Sequence, residues 1–208
     1  MKIESAIESG LDYFSIQYNE EIIKKICLYI EELGKWNEHI NLTGIKNPLA
    51  VVDILLYDAF FLFSNMKDKK TILDMGSGSG ILAIPISILS ETCGPIKTFS
   101  IDKSLKKIQF QRHIKRSLQL NGFLPIHARI EMFEPIGVDA LIVKGFGITS
   151  EILEKGGKQI KQDGQAFIVK GKNEIPPDDA AGFHLEEEKL YSLPFGDRIY
   201  KLLIYRKL

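Results

Sequence analysis

Between residues 1 and 68 the apolar positions recur at helical spacing. Over Glu21–Leu33, residues Ile22, Ile23, Ile26, Tyr29, Ile30 and Leu33 make one stripe beside charged positions. The pattern breaks around Gly34–Gly44, and Leu49–Phe63 then offers a second, strongly hydrophobic helical segment. Such stripes need a partner surface. Residues 1–68 are therefore expected to form a helical cap packed on the chain that follows.

From Lys70 the pattern changes to short apolar runs alternating with helical ones. Thr71–Met75, Lys97–Ile101, Pro125–Ala128, Asp139–Val143 and Gln165–Val169 read as strands, and Ile81–Leu89, Ser104–Leu120 and Thr149–Ile160 as helices. Repeated strand–helix units predict an α/β fold with a mostly parallel central sheet and helices on both faces, spanning 69–208. Arg198–Arg206, after the turn Phe195-Gly196-Asp197, reads as a terminal strand able to complete an antiparallel edge. Pro85 lies inside the first predicted helix; its missing N–H is harmless near a helix start and costly in the interior.

At 208 residues and 45% hydrophobic composition the chain has enough material for a substantial core. Lys plus Arg and Asp plus Glu both total 27, so net charge supplies no overall attraction to nucleic acid. The distribution is uneven. From Lys103 to Ile130 there are Lys103, Lys106, Lys107, Arg112, Lys115, Arg116 and Arg129 with no acid, whereas Glu174–Glu188 holds six acids. Along Lys103–Arg116 the expected pattern is a basic stripe facing solvent or RNA, with Leu105, Ile108, Ile114 and Leu118 on the sheet. Cys27 and Cys93 form neither a disulfide framework nor a metal-ligand spacing, and His39, His113, His127 and His184 make no metal pattern. The opening MKIESAIESG has no long apolar core, and no uninterrupted run reads as a convincing membrane span, so a cytoplasmic protein without a membrane partner is expected.

The chemistry centres on Thr71–Gly80, TILDMGSGSG, with an acid at Asp102 after the second strand. An apolar strand entering a turn with Gly76, Gly78 and Gly80 brings backbone amides close to a ligand, and a carboxylate at the next strand end offers two acceptor oxygens to paired hydroxyls. Three readings compete. A dinucleotide turn spaces its glycines G-x-G-x-x-G and receives a pyrophosphate. Here Asp74 precedes the loop, unfavourable to phosphate but suited to the cationic amino group of a methionine-derived cofactor. The third reading is a structural turn with Asp74 as a helix cap and no ligand.

The pattern D-x-G-x-G-x-G at 74–80 followed by Asp102 resembles class I S-adenosylmethionine-dependent methyltransferases. More narrowly, the chain resembles the RsmG/GidB family, which methylates guanine N7 in small-subunit ribosomal RNA. The resemblance rests on Trp36-Asn37, Asn41-Leu42-Thr43, Ile72–Gly78, Asp102-Lys103-Ser104 with Lys106-Lys107 and Phe110, Ala128-Arg129-Ile130-Glu131, and Lys170-Gly171. The family's His-x-x-Asp-Ser segment keeps its acid as Asp58 but has Leu55 and Ala59 at the other two positions. Its Ser-Arg-Ala segment is replaced by Val143-Lys144-Gly145, and where it has Pro-Gly just beyond the glycine loop this chain has Leu82-Ala83-Ile84-Pro85.

That resemblance implies a class I methyltransferase-like (Rossmann-like) core binding S-adenosylmethionine through Asp74, Gly76, Ser77, Gly78, Gly80, Asp102, Lys103, Ile130 and Glu131. Asp102 would grip the ribose, Lys103 would border ribose or adenine, and Ile130-Glu131 would bracket the adenine. Asn41, Asp58, Arg129 and Lys144 are the candidates for the substrate side, with no metal and no assigned catalytic residue. An Asx turn or helix cap at Asn41 and a surface ion pair between Arg129 and Glu131 are the structural alternatives. The implied partner is small-subunit (16S) ribosomal RNA or the ribosomal particle. Two further functional readings stand beside it: methylation of another RNA or a small molecule, and an inactive RNA-binding or ribosome-associated domain.

Overall fold

The computed structural model describes residues 2–195 and 198–208. Of the turn Phe195-Gly196-Asp197, the last two residues lie outside the described ones. In chain order the elements are α1 (Ile3–Tyr13), α2 (Glu20–Asn37), α3 (Pro48–Val51), a π-helical turn (Val52–Leu56), α4 (Tyr57–Asn65), β1 (Thr71–Met75), α5 (Ala83–Cys93), β2 (Lys97–Asp102), α6 (Leu105–Ser117), β3 (Phe123–His127), β4 (Val138–Lys144), α7 (Thr149–Gly156), β5 (Ile160–Gly171), β6 (Asp179–Ala180), β7 (Phe183–Ser192) and β8 (Ile199–Lys207).

The strands form one sheet in the order β3-β2-β1-β4-β5-β8-β7-β6. β1 pairs in parallel with β2 and β4, β2 with β3, and β4 with β5, as the alternating pattern predicts. The order reverses at β1, with β2 on one side and β4 on the other. An open parallel sheet binds its ligand outside the strand ends at such a switch point. β8 is antiparallel to β5 as expected, but it is not an edge: β7 lies beyond it, also antiparallel. β7 carries Glu186, Glu187 and Glu188 and buries only Phe183 and Tyr191, so its apolar alternation is too sparse to read as a strand.

Period-two alternation divides the core. Ile72, Ala140, Ile142, Phe167, Val169, Leu202 and Ile204 face a cluster containing Ile7 and Leu11 of α1, Ile26 and Ile30 of α2, Phe60 of α4, Ile86 of α5 and Phe110 of α6. Leu73, Met75, Leu141, Val143, Ala166, Ile168 and Leu203 face the other way, against Ile152 and Leu153 of α7. The N-terminal helices thus share a continuous apolar cluster with one face of the sheet. A Cβ on Gly10 of α1 would lie 2.2 Å from Tyr57 Cε1, and the Tyr57 hydroxyl donates to Ala6 O at 2.6 Å, so glycine is what lets α1 approach this closely.

Several boundaries differ from the sequence expectation. α2 continues through Gly34 to Asn37, because its buried stripe and the N-cap bond from Ile22 N to Asn19 Oδ1 outweigh one glycine. α7 ends at Gly156, and Ile160 opens β5 rather than closing the helix. Pro85 is the third residue of α5, where its absent N–H needs no helical partner. Leu105 is 45% exposed rather than packed on the sheet, while Ile108, Ile114 and Leu118 are buried. Pro48–Asn65, which contains the expected Leu49–Phe63 helix, forms one helical run that is long and apolar enough by length and composition to cross a membrane, although Asp53 and Asp58 interrupt it and half of it is buried inside the fold. Asp58, fully buried within that run, faces the protein interior.

Candidate active site

β1 delivers Asp74 and Met75 into the glycine turn. Gly76, Gly78 and Gly80 have φ of 70°, 57° and 78°, the left-handed region, where any residue with a Cβ costs about 1–2 kcal/mol. The turn is tied to β2: Gly76 N and Ser77 N donate to Ile101 O at 2.9 and 3.1 Å. The three glycines are not equivalent. A Cβ on Gly76 would meet Phe146 Cδ2 at 2.8 Å and one on Gly80 would meet Ile84 Cδ1 at 2.6 Å, but on Gly78 nothing approaches closer than 4.0 Å. Backbone at Gly78 therefore borders open space, which fits a ligand in close approach and is not required by packing.

Asp102 ends β2 beside the turn. Its Oδ2 accepts from Gly78 N at 2.9 Å and its Oδ1 from Ser104 N at 2.8 Å, so the carboxylate holds the loop in shape. It is only half-buried, and each oxygen has a further lone pair, leaving acceptor capacity for a pair of hydroxyls. Asp74 is 2% exposed, and its Oδ2 accepts from Ala83 N at 3.3 Å at the start of α5. Desolvation pushes its pKa up to about 7; the Ala83 N–H draws it back, and the charge of Asp102 adds to the rise. A cationic amino group seated beside Asp74 would restore the ionised form, so this donor set suits an amino-acid-bearing cofactor and opposes a phosphate.

Three supports of this region went unread in the sequence. Gln111 of α6, fully buried, donates through Nε2 to Ser77 Oγ and Gly78 O, both at 2.8 Å, and accepts from Ser100 Oγ at 2.5 Å. Tyr29 of α2 donates to Ser79 O at 3.3 Å, tying an N-terminal helix to the glycine turn. Asn37, rather than Asn41, folds the adjoining loop, its Oδ1 accepting from Leu42 N and Thr43 N at 2.9 Å. Asn41 itself is exposed. A buried polar residue on a helix face was the available signal for Gln111; its partners lie 33 and 34 residues away in sequence.

On the other side of Asp102, Ala128 N donates to Asp102 O at 3.2 Å, which brings the segment Arg129–Glu131 alongside. Ile130 is 6% exposed and packs with Ile101, while Lys103, Arg129 and Glu131 are exposed. The Glu131 carbonyl accepts Lys158 Nζ at 2.8 Å. Among the described residues no ion pair joins Arg129 to Glu131.

The substrate-side candidates converge. Lys144, the last residue of β4, donates to Asp58 Oδ2 and, at 3.0 Å, to Ile54 O within the π-helical turn. Asp58 Oδ1 accepts the Tyr191 hydroxyl at 2.5 Å. Burial and the neighbouring carboxylate push the Tyr191 phenol far above its ordinary range, keeping it a donor. Lys144 and Gly145 separate two clefts. One, about 230 Å³, is lined by Asp74, Gly76–Ser79, Thr43 and Leu55; the other, about 400 Å³, by Phe146, Val169, Lys170 and Tyr200. Asp74, the glycine turn and Lys144 are therefore brought together, and Asp102 bonds the turn at Gly78, with Ile130 on the segment beside Asp102. Asn41 is on the loop leading into the first cleft without lining it.

Residues 22–189 match the profile of a family described as rRNA small subunit methyltransferase G. A ribosomal RNA small subunit methyltransferase G of Geotalea uraniireducens is 30% identical over 207 residues, covering 98% of this chain and 88% of the relative. The protein of that name from Methylobacillus flagellatus is 27% identical over 193 residues, covering 92% and 91%. Among solved structures, the ribosomal protein L11 methylase of Lactobacillus delbrueckii subsp. bulgaricus superposes with a TM-score of 0.58 at 17% identity, covering 74% of this chain and 79% of the other, a likeness of fold.

Proposed function

From the premise that the chain belongs to the rRNA small subunit methyltransferase G family, we propose that it methylates N7 of a guanine in small-subunit (16S) ribosomal RNA in the cytoplasm. It is an S-adenosylmethionine-dependent RNA methyltransferase. The observation that carries the assignment of the site is the left-handed glycine turn open at Gly78, flanked by the buried carboxylate of Asp74 and the half-buried one of Asp102.

S-adenosylmethionine, when bound, supplies an electrophilic methyl group on a sulfonium. Asp74 and the turn Gly76–Gly80 would hold its methionine part, Asp102 and Lys103 its ribose, and Ile130 with Glu131 its adenine. Guanine N7 already has a lone pair, so no base is needed to activate it. The cofactor held by these residues would supply its methyl group to that lone pair and keep the electrons of the carbon–sulfur bond, so no proton transfer is asked of Lys144 or Asp58. The protein's tasks are alignment and charge organisation. Lys144 borders both clefts, with the buried Asp58 holding its ammonium, while Asn41 and Arg129 are exposed on the flanking segments.

α6 and the turn leading into it support the RNA reading. Lys103, Lys106, Arg112 and Arg116 are exposed, and among the described residues no carboxylate pairs with them. The test is transfer of labelled methyl from S-adenosylmethionine to small-subunit particles and to total RNA, with the modified nucleotide mapped. Label at guanine N7 is expected, with particle affinity falling about tenfold or more as salt rises from roughly 50 to 200 mM. Label on a small acceptor alone, or affinity indifferent to salt, would count against it.

Asp74 makes cofactor binding pH dependent. With a pKa near 7 in the unliganded fold, its carboxyl must lose a proton to face a cation. Affinity for S-adenosylmethionine should therefore strengthen by roughly eightfold between about pH 6 and pH 7.5, the ratio of ionised fractions for such a group, with proton release on binding. Calorimetric titration in buffers of different ionisation heat measures both. A flat profile, or the same slope in Asp74→Asn, would remove Asp74 from the cofactor site.

A further inference from the structure

We propose that the cleft between the ends of β4 and β5 is the pocket for the target purine, with Tyr200 as its stacking surface and Lys144 as the group that selects guanine. The inference rests on the guanine-N7 reading and adds the residues that recognise the base.

Position comes first. This cleft and the one under the glycine turn adjoin at Lys144-Gly145, so a base in the former presents an edge toward the methyl-donor site. The cleft volume of about 400 Å³ accommodates a purine, which must leave any helical stack to reach it. Tyr200 lines the wall and stacks on Tyr191 at 5.7 Å and 29°, Tyr191 stacks on Phe61 at 3.8 Å, and the Lys144 ammonium stands over the Tyr200 ring 5.7 Å from its centroid, so the stacking surface and the selecting cation meet at one place. A tyrosine held in such a column presents a fixed aromatic surface, the usual platform for an unstacked base.

Selection follows from counting donors. An ammonium has three N–H groups and no acceptor. Lys144 directs one to Asp58 and one to Ile54 O, which fixes the direction of the third. Guanine carries O6 next to N7 on the same edge, both acceptors, whereas adenine places an amino donor there. A pinned ammonium at the junction of the two clefts bonds O6 while N7 faces the donor site, and it rejects adenine because two donors then oppose each other. The Asp58–Tyr191 pair acts as a positioning element for this contact.

The test uses purified full-length protein and small-subunit particles lacking the methyl group, reading kcat/KM, affinity for S-adenosylmethionine and affinity for the particle. Tyr200→Leu, which fills space without an aromatic face, is expected to lower kcat/KM by about tenfold or more with cofactor affinity unchanged, and Tyr200→Trp to retain activity. At the mapped target, replacing guanine by 2-aminopurine, which keeps N7 and lacks O6, should cost the unsubstituted protein about tenfold to a hundredfold. Lys144→Met should show the same loss on guanine and no further loss on 2-aminopurine. Tyr200→Leu with full activity, or losses from Lys144→Met and 2-aminopurine that multiply, would overturn the pocket. If Lys144→Met does not fold, the Tyr200 pair and the 2-aminopurine substrate decide. Failure of the unsubstituted protein to label guanine N7 would instead overturn the reaction, and the pocket with it.

Discussion

Asp102→Ala should weaken S-adenosylmethionine binding by at least about a hundredfold while leaving the fold intact. The carboxylate accepts two backbone N–H groups, Gly78 N at 2.9 Å and Ser104 N at 2.8 Å. Hydrogen bonds to a charged acceptor contribute about 1.5–3 kcal/mol each, and removal also takes away the acceptors available to the ribose. The global fold is spared because Gly76 N and Ser77 N still bond Ile101 O and Gln111 still holds Ser77 and Gly78. Asp102→Asn keeps one acceptor and loses the charge, so its loss should be smaller, about tenfold. Calorimetry against S-adenosylmethionine, with thermal unfolding as control, measures both; wild-type affinity in Asp102→Ala would mean that the carboxylate supports only the turn and that the cofactor lies elsewhere.

The second large effect is on stability. Asp58 is 0% exposed and accepts from both Lys144 and Tyr191, so Asp58→Leu strands an ammonium and a hydroxyl at once. Breaking a buried ion pair from one side costs about 3–5 kcal/mol, and because the Lys144 side chain is 19% exposed and can turn partly to water, the lower end applies. For a chain of this size that corresponds to a fall in Tm of roughly 6–12 °C. Replacing both partners removes the uncompensated charge. The double variant Asp58→Leu with Lys144→Met should therefore recover more than half of the loss, a coupling that a double-mutant cycle reads directly. It should remain impaired in guanine methylation, since the donor to O6 is gone. A single variant as stable as wild type, or a double variant no better than the single, would show that the pair is not energetically coupled.

Much of the fold is local and therefore legible. β1 is Thr71–Met75 as expected, β2 runs one residue further at its end and β4 one residue further at each end, because each is an apolar run bounded by turn-forming or charged residues. The parallel sheet follows from the strand–helix alternation alone. β7 could not be read in this way: it survives by pairing β8 along its length, with backbone bonds replacing apolar alternation. The same holds within the site. Asp74, the three glycines and Asp102 announce themselves by spacing, whereas Gln111 depends on a turn more than thirty residues away and Asn37 on a loop that only the folded chain bends back to it.

The sequence by itself determined the alternation of strands and helices, the glycine-only turn after β1 and the family to which the chain belongs, because backbone preference and short-range spacing are properties of neighbouring residues. Tertiary structure alone decided which acids do what. Asp58 and Lys144 lie 86 positions apart and Asp58 and Tyr191 lie 133 apart, yet the packing of α4 against the ends of β4 and β7 brings all three together. Burial then raised the pKa of Asp74 to about 7, while Asp102, half-exposed, was drawn into bonds with the loop it flanks. Solvation and long-range contact are set by the packed whole, and no window of sequence contains them.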